Sequence, residues 1–535
     1  MNIIYSAKKI ITMNPSRPQT THVAVANGRI VGTGTLDELS RWGDYELDES
    51  FADKIIMPGL VEGHAHTMEG TMWRYVYCGY FDRMDPDGKM WAGVQNIEGV
   101  LERLKEAETN LDDPDAPLAG WQLDPIYFEN KRILTRFQAQ GPVGVVHASH
   151  HIMNVNSKAL ELAGLLKPGI NHPGVPLGDD GLPTGELKGP DIMTPVGIHV
   201  GFSRDILACD DRGLRDFAKL CVRAGVTTVT DLAARLNEEA VEMMLEVTEE
   251  KKFPVRVVPL RFFQGLTPRE LVDHAASLKK QSTDRLRLGM IKVVADGSIQ
   301  GFSARLRSPG YFNGAPNGLW YIPPEQLLET YELALAEGLH VHTHTNGDEA
   351  TQLAIELTEK ALTKYPTPDH RYTLQHCQMA DRAQLRKMAV LGMCVNFFAN
   401  HHYYWGDAHY NLTVGPERAE RMNACRSALE YGLPMAIHSD APITPLGPLF
   451  TGLVRRRVQG EYEKIPVEDA LYAITLGAAF TLKLDGELGS IEAGKHADFA
   501  ILEDDPMNVD VDKLKDIKIW GTVQGGRIFE ASKIS

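Results

Sequence analysis

Hydrophobic and polar positions alternate at both ends of the chain. Residues 22–31 read His-Val-Ala-Val-Ala-Asn-Gly-Arg-Ile-Val. Asn-Gly between two alternating runs predicts a tight β-hairpin. Residues 498–502 and 519–523 repeat the style, and Gly525-Gly526 precedes another short run at 527–529. Neither end has enough strands to bury a core alone. The reading is one small β-sandwich built from residues 1–55 and 483–535, with everything between them inserted.

The middle changes period. Apolar, strand-like runs occur at 55–66, 226–231, 255–262, 290–296, 340–345, 372–377, 393–398 and 435–440. Helical patterns lie between most of them. Residues 212–224 place Leu214, Phe217, Leu220, Cys221 and Ala224 on one face. Thr267-Pro268-Arg269-Glu270 is a capping box with proline at the first helical position. Eight strands alternating with helices predict an α/β fold, a (β/α)8 TIM-type barrel, over residues 56–70 and 205–482. The first connection is abnormal, with about 160 residues between His66 and Val226. Residues 71–204 are therefore read as a lid or substrate subdomain inserted after the first barrel strand.

Composition narrows the function. The chain has 535 residues, a formal net charge of −16 and six cysteines with no CxxC pair. A nucleic-acid backbone and an anionic membrane are unfavourable partners for such a charge, and no apolar run approaches a membrane span. A thiolate zinc knot and a disulfide framework are excluded. The N-terminus does not read as a signal peptide, so a cytoplasmic location is expected. A small-molecule substrate and a homo-oligomer are both compatible with this.

The chemistry sits at predicted strand ends. His64 and His66 are two apart, so in a strand both imidazoles face one side. Neutral imidazole is the commonest metal ligand; a bare HxH is weak by itself. Further strand ends carry His342-Thr-His344, His376 and His438-Ser-Asp440. Lys292 lies in an apolar strand, where a cation is costly to bury. Either a buried carboxylate such as Asp296 satisfies it, or it is neutral and reacts with carbon dioxide to give a carbamate that bridges two metal ions.

Taken together, Pro-Gly-Leu-Val-Glu-Gly-His-Ala-His at 58–66, the strand-four lysine, the His344 segment, His376 and Ser-Asp-Ala-Pro at 439–442 resemble the amidohydrolase superfamily. The split terminal sheet matches too. The segments 154–160, 181–185, 295–298 and 344–348 resemble its amidohydrolase-3 (YtcJ-like) branch, in which N-substituted formamide deformylase is one known activity. The resemblance implies a metal-dependent hydrolase of carbon–nitrogen bonds other than peptide bonds. It places His64, His66 and Asp440 on a buried metal, His344 and His376 on a second, and carboxylated Lys292 between two Zn2+ ions. A metal-activated hydroxide would attack an amide, with Asp440 as proton shuttle. The alternatives are a deaminase, an ester or lactone hydrolase on the same site, or a non-catalytic regulatory protein of the same fold.

The chain departs from the pattern in two places. Many relatives have glycine where His438 stands; His438 is read as supporting Asp440 from one layer deeper rather than as a ligand. Ser149-His150-His151 replaces Asp-Gly-His. Asp231, Asp296 and Asp348 are candidates to orient the histidines. His151, Arg305 and Arg371 are read as substrate anchors, and Tyr404 and Trp405, in the aromatic segment after strand seven, as an apolar wall suited to an aromatic or hydrophobic substrate.

Overall fold

The computed structural model describes residues 2–124, 126–128, 137, 139–150, 152–202, 208–447 and 461–534. It divides into two compact units, residues 1–66 with 218–535, and residues 67–217.

The first unit is built on a parallel barrel. Its strands, in chain order, are Leu60–Glu62, Val226–Asp231, Arg256–Phe262, Met290–Val294, His340–Thr345, Thr373–His376, Cys394–Phe397 and Met435–Ile437. Each pairs in parallel with its sequence neighbour. Just past the last strand, Ala65 and Ala441 form a parallel bridge. His66 N donates to Ala441 O at 2.7 Å and Asp440 N to His64 O at 2.9 Å. These bonds join the first strand to the eighth and close the ring at the end where active sites of this architecture lie.

Strand alternation sorts the side chains. Ile291, Val293 and Val341 pack outward with helices Pro268–Lys279 and Pro324–Ala336 in one apolar cluster. Lys292, between Ile291 and Val293, faces the other way, into the barrel. The capping box predicted at Thr267 and Glu270 is present. So is the helix around Leu214 and Phe217, which runs Asp211–Arg223.

Strands from both ends of the chain join in one seven-stranded sheet. Its order is Arg527–Glu530, Ile519–Gln524, Phe499–Leu502, Tyr45–Pro58, Asn2–Ile11, Gln19–Ala26, Arg29–Gly34. Tyr5, Ile10, Phe51, Ile56, Phe499 and Val523 form its core. Asn27 and Gly28, at φ 50° and 74°, make the hairpin turn that the Asn-Gly pair predicts.

One expectation is corrected here. The run 55–66 is not one strand. Residues up to Pro58 end the terminal strand, where Pro58 pairs with Phe499, and the barrel begins at Leu60. Gly59 is the junction: a Cβ there would stand 2.0 Å from Thr227 Oγ1. Gly59→Ala should therefore cost about 1–3 kcal/mol of unfolding free energy by overpacking. Adding Thr227→Gly should recover part of it, because alanine would leave the Thr227 Cβ 2.7 Å from the new one, a coupling readable by denaturant titration of the four proteins in the cycle.

The second unit carries a five-stranded sheet in the order Glu186–Lys188, Ile152–Val155, Val143–His147, Leu118–Leu123, Val76–Tyr77. Its core includes Trp121, Val146, Met153 and Leu187. A buried ion pair, Arg83–Glu69 at 2.7 Å, lies within it, with the guanidinium 5.1 Å from the Trp121 ring. Asn156, from the segment at 154–160, caps the helix Ser157–Leu162 and ties Val143 N and Gly141 O. That accounts for it structurally.

Candidate metal centre

The barrel brings together side chains far apart in sequence. His66 Nε2 lies 3.2 Å and His64 Nε2 3.4 Å from Asp440 Oδ1, and His376 Nδ1 lies 3.8 Å from Asp440 Oδ2. Donor atoms of His64, His66 and Asp440 all fall within 4.8 Å of one another, and so do those of His64, His376 and His438. Asp440 and His376 have left-handed backbones, φ 55° and 67°. Such conformations are uncommon outside glycine and cluster at functional sites.

Hydrogen bonds beneath the cluster set the state of His64. Thr481 O can only accept, so His342 Nε2, 3.1 Å away, carries the proton. In the neutral ring His342 Nδ1 then accepts from Gln375 Nε2 at 2.6 Å. Gln375 Oε1 accepts from Asn396 Nδ2 at 3.0 Å and from His64 Nδ1 at 2.8 Å. His64 therefore holds its proton on Nδ1 and turns the lone pair of Nε2 toward Asp440. Burial pushes the His64, His342, His376 and His438 imidazoles well below the ordinary histidine range. They are neutral at pH 7, as ligation requires. Gln375, Asn396 and Glu62 carry no metal-ligand spacing, and sequence reasoning missed them.

Glu62 clamps strand one to strand eight. Its carboxyl is fully buried and takes Ser439 N at 3.0 Å and His64 N at 3.3 Å, and shares a 2.7 Å hydrogen bond with Ser439 Oγ. Burial raises its pKa to about 8. The folded protein thus keeps a proton that the unfolded chain releases above about pH 4.5, the ordinary value. The stabilising contribution is full below that value and is lost as pH rises toward 8. Glu62→Gln, which mimics the neutral carboxyl, should change stability little at pH 5 and flatten this loss by pH 8. Glu62→Ala should cost about 2–4 kcal/mol at both, because it strands buried donors. Urea titrations at the two pH values read both outcomes.

Lys292 is buried, and Nζ has no hydrogen-bond partner. The alternative in which Asp296 satisfies it is overturned: Asp296 accepts backbone N–H groups from Asn346, Gly347 and Arg305, each at 2.9 Å. Burial lowers the Lys292 pKa to about 7 against the opposing pull of Asp440. His344 lies with its ring 4.4 Å from His376. Its Nε2 faces Gly297 O at 3.3 Å and Asp296 Oδ1 at 3.7 Å, so Asp296 does approach a candidate ligand. Asp231 does likewise, 4.0 Å from His66 Nδ1. Asp348 instead accepts Arg307 N at 2.9 Å.

The proposed substrate anchors are placed differently. Arg371 precedes strand six, at the end opposite His376, and is held by Asp369 and Asp485 at 2.7 Å each over the Phe480 ring. Arg305 spends its guanidinium on Glu349, Gly318 O and the Trp320 face. Neither reaches the cluster, because nearer carboxylates take both cations. His151 lies outside the described residues. Tyr404 and Trp405 are buried, with Trp405 4.5 Å from His401 and 6.3 Å from Phe398. Phe398 stands against the cluster, 5.6 Å from His376 and stacked on His438 at 5.0 Å.

A profile of the amidohydrolase family matches residues 52–529. The chain is 26% identical to YtcJ of Bacillus subtilis (strain 168), across 99% of both chains. It is 23% identical to the N-substituted formamide deformylase of Arthrobacter pascens, across 94% of each. In structure it resembles a metal-dependent hydrolase of Pyrococcus horikoshii OT3, with a TM-score of 0.72 at 19% identity, covering 96% of this chain and 99% of that one.

Proposed function

The chain belongs to the amidohydrolase family, and we propose that it hydrolyses an amide-type carbon–nitrogen bond of a small substrate with the help of divalent metal. The observation that carries this reading is the convergence of His64, His66 and Asp440 from the first and last strands of the barrel, with donor atoms within 4.8 Å of one another. The residues suit a cation: the His64 tautomer leaves Nε2 open, and the buried Lys292 Nζ has no hydrogen-bond partner. His64, His66 and Asp440 would hold one zinc ion and His344 with His376 a second. Lys292 would bridge after its amine attacks carbon dioxide, forming an N–C bond and releasing one proton. Such ions, when bound, supply Lewis acidity and lower the pKa of water.

The chain's own groups do the rest. Asp440 stands beside both HxH imidazoles and can accept a proton from the attacking water as the C–O bond forms. Amide nitrogen leaves poorly until protonated, so Asp440 returns that proton to nitrogen as the C–N bond breaks. Phe398, against His376, gives the site an apolar side that favours a hydrophobic or aromatic substrate.

The test is a substrate panel run on metal-analysed protein. N-acyl and N-formyl amines, esters, lactones and amino-substituted heterocycles are scored for amine, acid and ammonia. Amine release that a chelator abolishes is expected. Acid from esters alone, or ammonia alone, would replace the amide reading; protein that neither binds metal nor turns over any of the panel would favour a regulatory role.

A further inference from the structure

We propose that His401 is a substrate-positioning residue whose Nε2–H donates to a carbonyl oxygen of the substrate outside the scissile amide. The preferred substrate then carries a second oxygen beside its apolar part. The inference rests on the amide-hydrolase reading above and deepens it: Phe398 gives the site an apolar side, and His401 selects among apolar amides.

His401 belongs to the segment that leaves strand seven, at the same end of the barrel as His376 and Asp440. Its backbone N donates to Phe398 O at 3.3 Å. Its ring lies 4.4 Å from the Phe398 ring, which in turn stands 5.6 Å from His376 and 5.0 Å from His438. The neighbouring Asn400 ties the segment to the Asp440 loop. Asn400 Nδ2 donates to Thr444 Oγ1 at 2.6 Å, and the Thr444 hydroxyl donates to Ser439 O. Two helical turns follow, His401–Tyr404 and the π-helical His409–Thr413. Single π turns are frequent at functional sites. Here the turn sets His409 and Thr413 behind His401.

The hydrogen bonds behind His401 run one way. Thr413 is fully buried, and the partner of its hydroxyl among the described residues is His409 Nδ1 at 2.8 Å. If His409 Nδ1 held the proton, Thr413 would accept it and its own hydroxyl proton would be stranded. Thr413 therefore donates and His409 Nδ1 accepts. Burial pushes the His409 pKa down to about 3, so the ring is neutral and keeps its proton on Nε2. That proton is donated to His401 Nδ1 at 2.8 Å. Burial also holds His401 well below the ordinary histidine range, so its own proton is on Nε2. His401 is only 2% exposed. Its Nε2 nonetheless has no partner among the described residues and is not sealed from water. The chain thus ends in one uncharged N–H, open beside Phe398. A neutral carbonyl oxygen suits such a donor, because it satisfies the N–H among apolar rings without burying a charge. A ring that only packed against Phe398 would need neither His409 nor Thr413 to fix its proton.

The experiment has two arms, both on the full chain. In the first, histidine rings are labelled with 15N and their tautomers read from two-bond 1H–15N correlation spectra, with no substrate present. His401 and His409 are assigned by the signals lost in His401→Gln and His409→Gln. Both rings should carry the proton on Nε2; a proton on Nδ1 of His401 overturns the proposal whatever the enzyme hydrolyses. In the second arm, zinc-loaded protein is given two matched pairs of amides. N-formylphenylalanine amide is compared with N-formylphenethylamine, and N-formyl-4-(aminomethyl)benzamide with N-formylbenzylamine. Wild type should favour the member with the second carbonyl in at least one pair by about tenfold or more in kcat/KM. His401→Phe, which keeps a ring and loses the donor, should erase that preference mainly through KM. His401→Gln, which can accept from His409 and still donate, should keep most of it, and it serves if the phenylalanine variant folds poorly. No preference in wild type, or an equal loss on both members of a pair, overturns the proposal and leaves His401 a packing residue. If neither pair is hydrolysed, the amide reading fails and the inference falls with it.

Discussion

Asp440→Asn should reduce kcat by about 10²- to 10⁴-fold, the range that a general acid–base group contributes, while leaving the fold intact. Asparagine has nearly the volume of aspartate and tolerates a left-handed backbone such as the one at φ 55°. The bonds that seat the residue are main-chain: Asp440 N to His64 O at 2.9 Å and Ile443 N to Asp440 O at 2.7 Å. They survive the substitution. The side chain can still offer an oxygen to a cation, so bound metal should fall far less than turnover. What the amide cannot do is take a proton from water and return it to nitrogen. Metal per chain and circular dichroism, measured beside kcat, separate these effects. A variant that keeps its metal and turns over within about threefold of wild type would refute the shuttle role, since among the described residues no other carboxylate stands so close to both HxH imidazoles.

Lys292→Met should move stability and function in opposite directions. Methionine fills nearly the same space without an amine. In the metal-free protein the wild-type Nζ is buried and unpartnered, and leaving such a group unsatisfied costs about 1–3 kcal/mol. The metal-free variant should therefore unfold at higher denaturant concentration near pH 7. The pH dependence gives a second readout. Burial holds the folded pKa at about 7, against 10.5 for the free side chain. Between those values the unfolded chain binds more protons than the folded one, so wild-type stability rises with pH across that window and is lowest below pH 7. Lys292→Met should remove this slope. If Lys292 bridges two ions as proposed, the variant should also lose that group, so that metal per chain falls below the wild-type content and turnover collapses by about 10³-fold or more. Two retained ions, or a less stable metal-free variant throughout the window, would show that the amine has another role.

Much of the architecture was legible because two physical periods differ. The eight apolar runs and the capped helices between them predict the parallel barrel, and all eight runs hold a barrel strand. The hairpin at Asn27-Gly28 was equally plain, since a turn needing two left-handed residues admits few pairs. The run 55–66 misled because two strands of different sheets follow each other across a single glycine, and no hydropathy pattern marks such a handover. Arg305 and Arg371 misled for another reason. A cation near a motif in sequence says nothing about which carboxylate reaches it first, and Glu349, Asp369 and Asp485 did.

Local sequence determined the elements and the kinds of donor they carry: histidines two apart on a strand, an amine in an apolar strand, an acid at a strand end. These follow from backbone periodicity and side-chain chemistry, which act over a few residues. Closure of the barrel decided the rest. Only closure sets His64 and His66 beside Asp440, runs the proton-fixing chain from Thr481 through His342 and Gln375 to His64, and brings His438 Nε2 to 3.0 Å from His376 Nδ1. Those contacts join positions up to several hundred residues apart, and their energies depend on distances that exist only once the ring is complete.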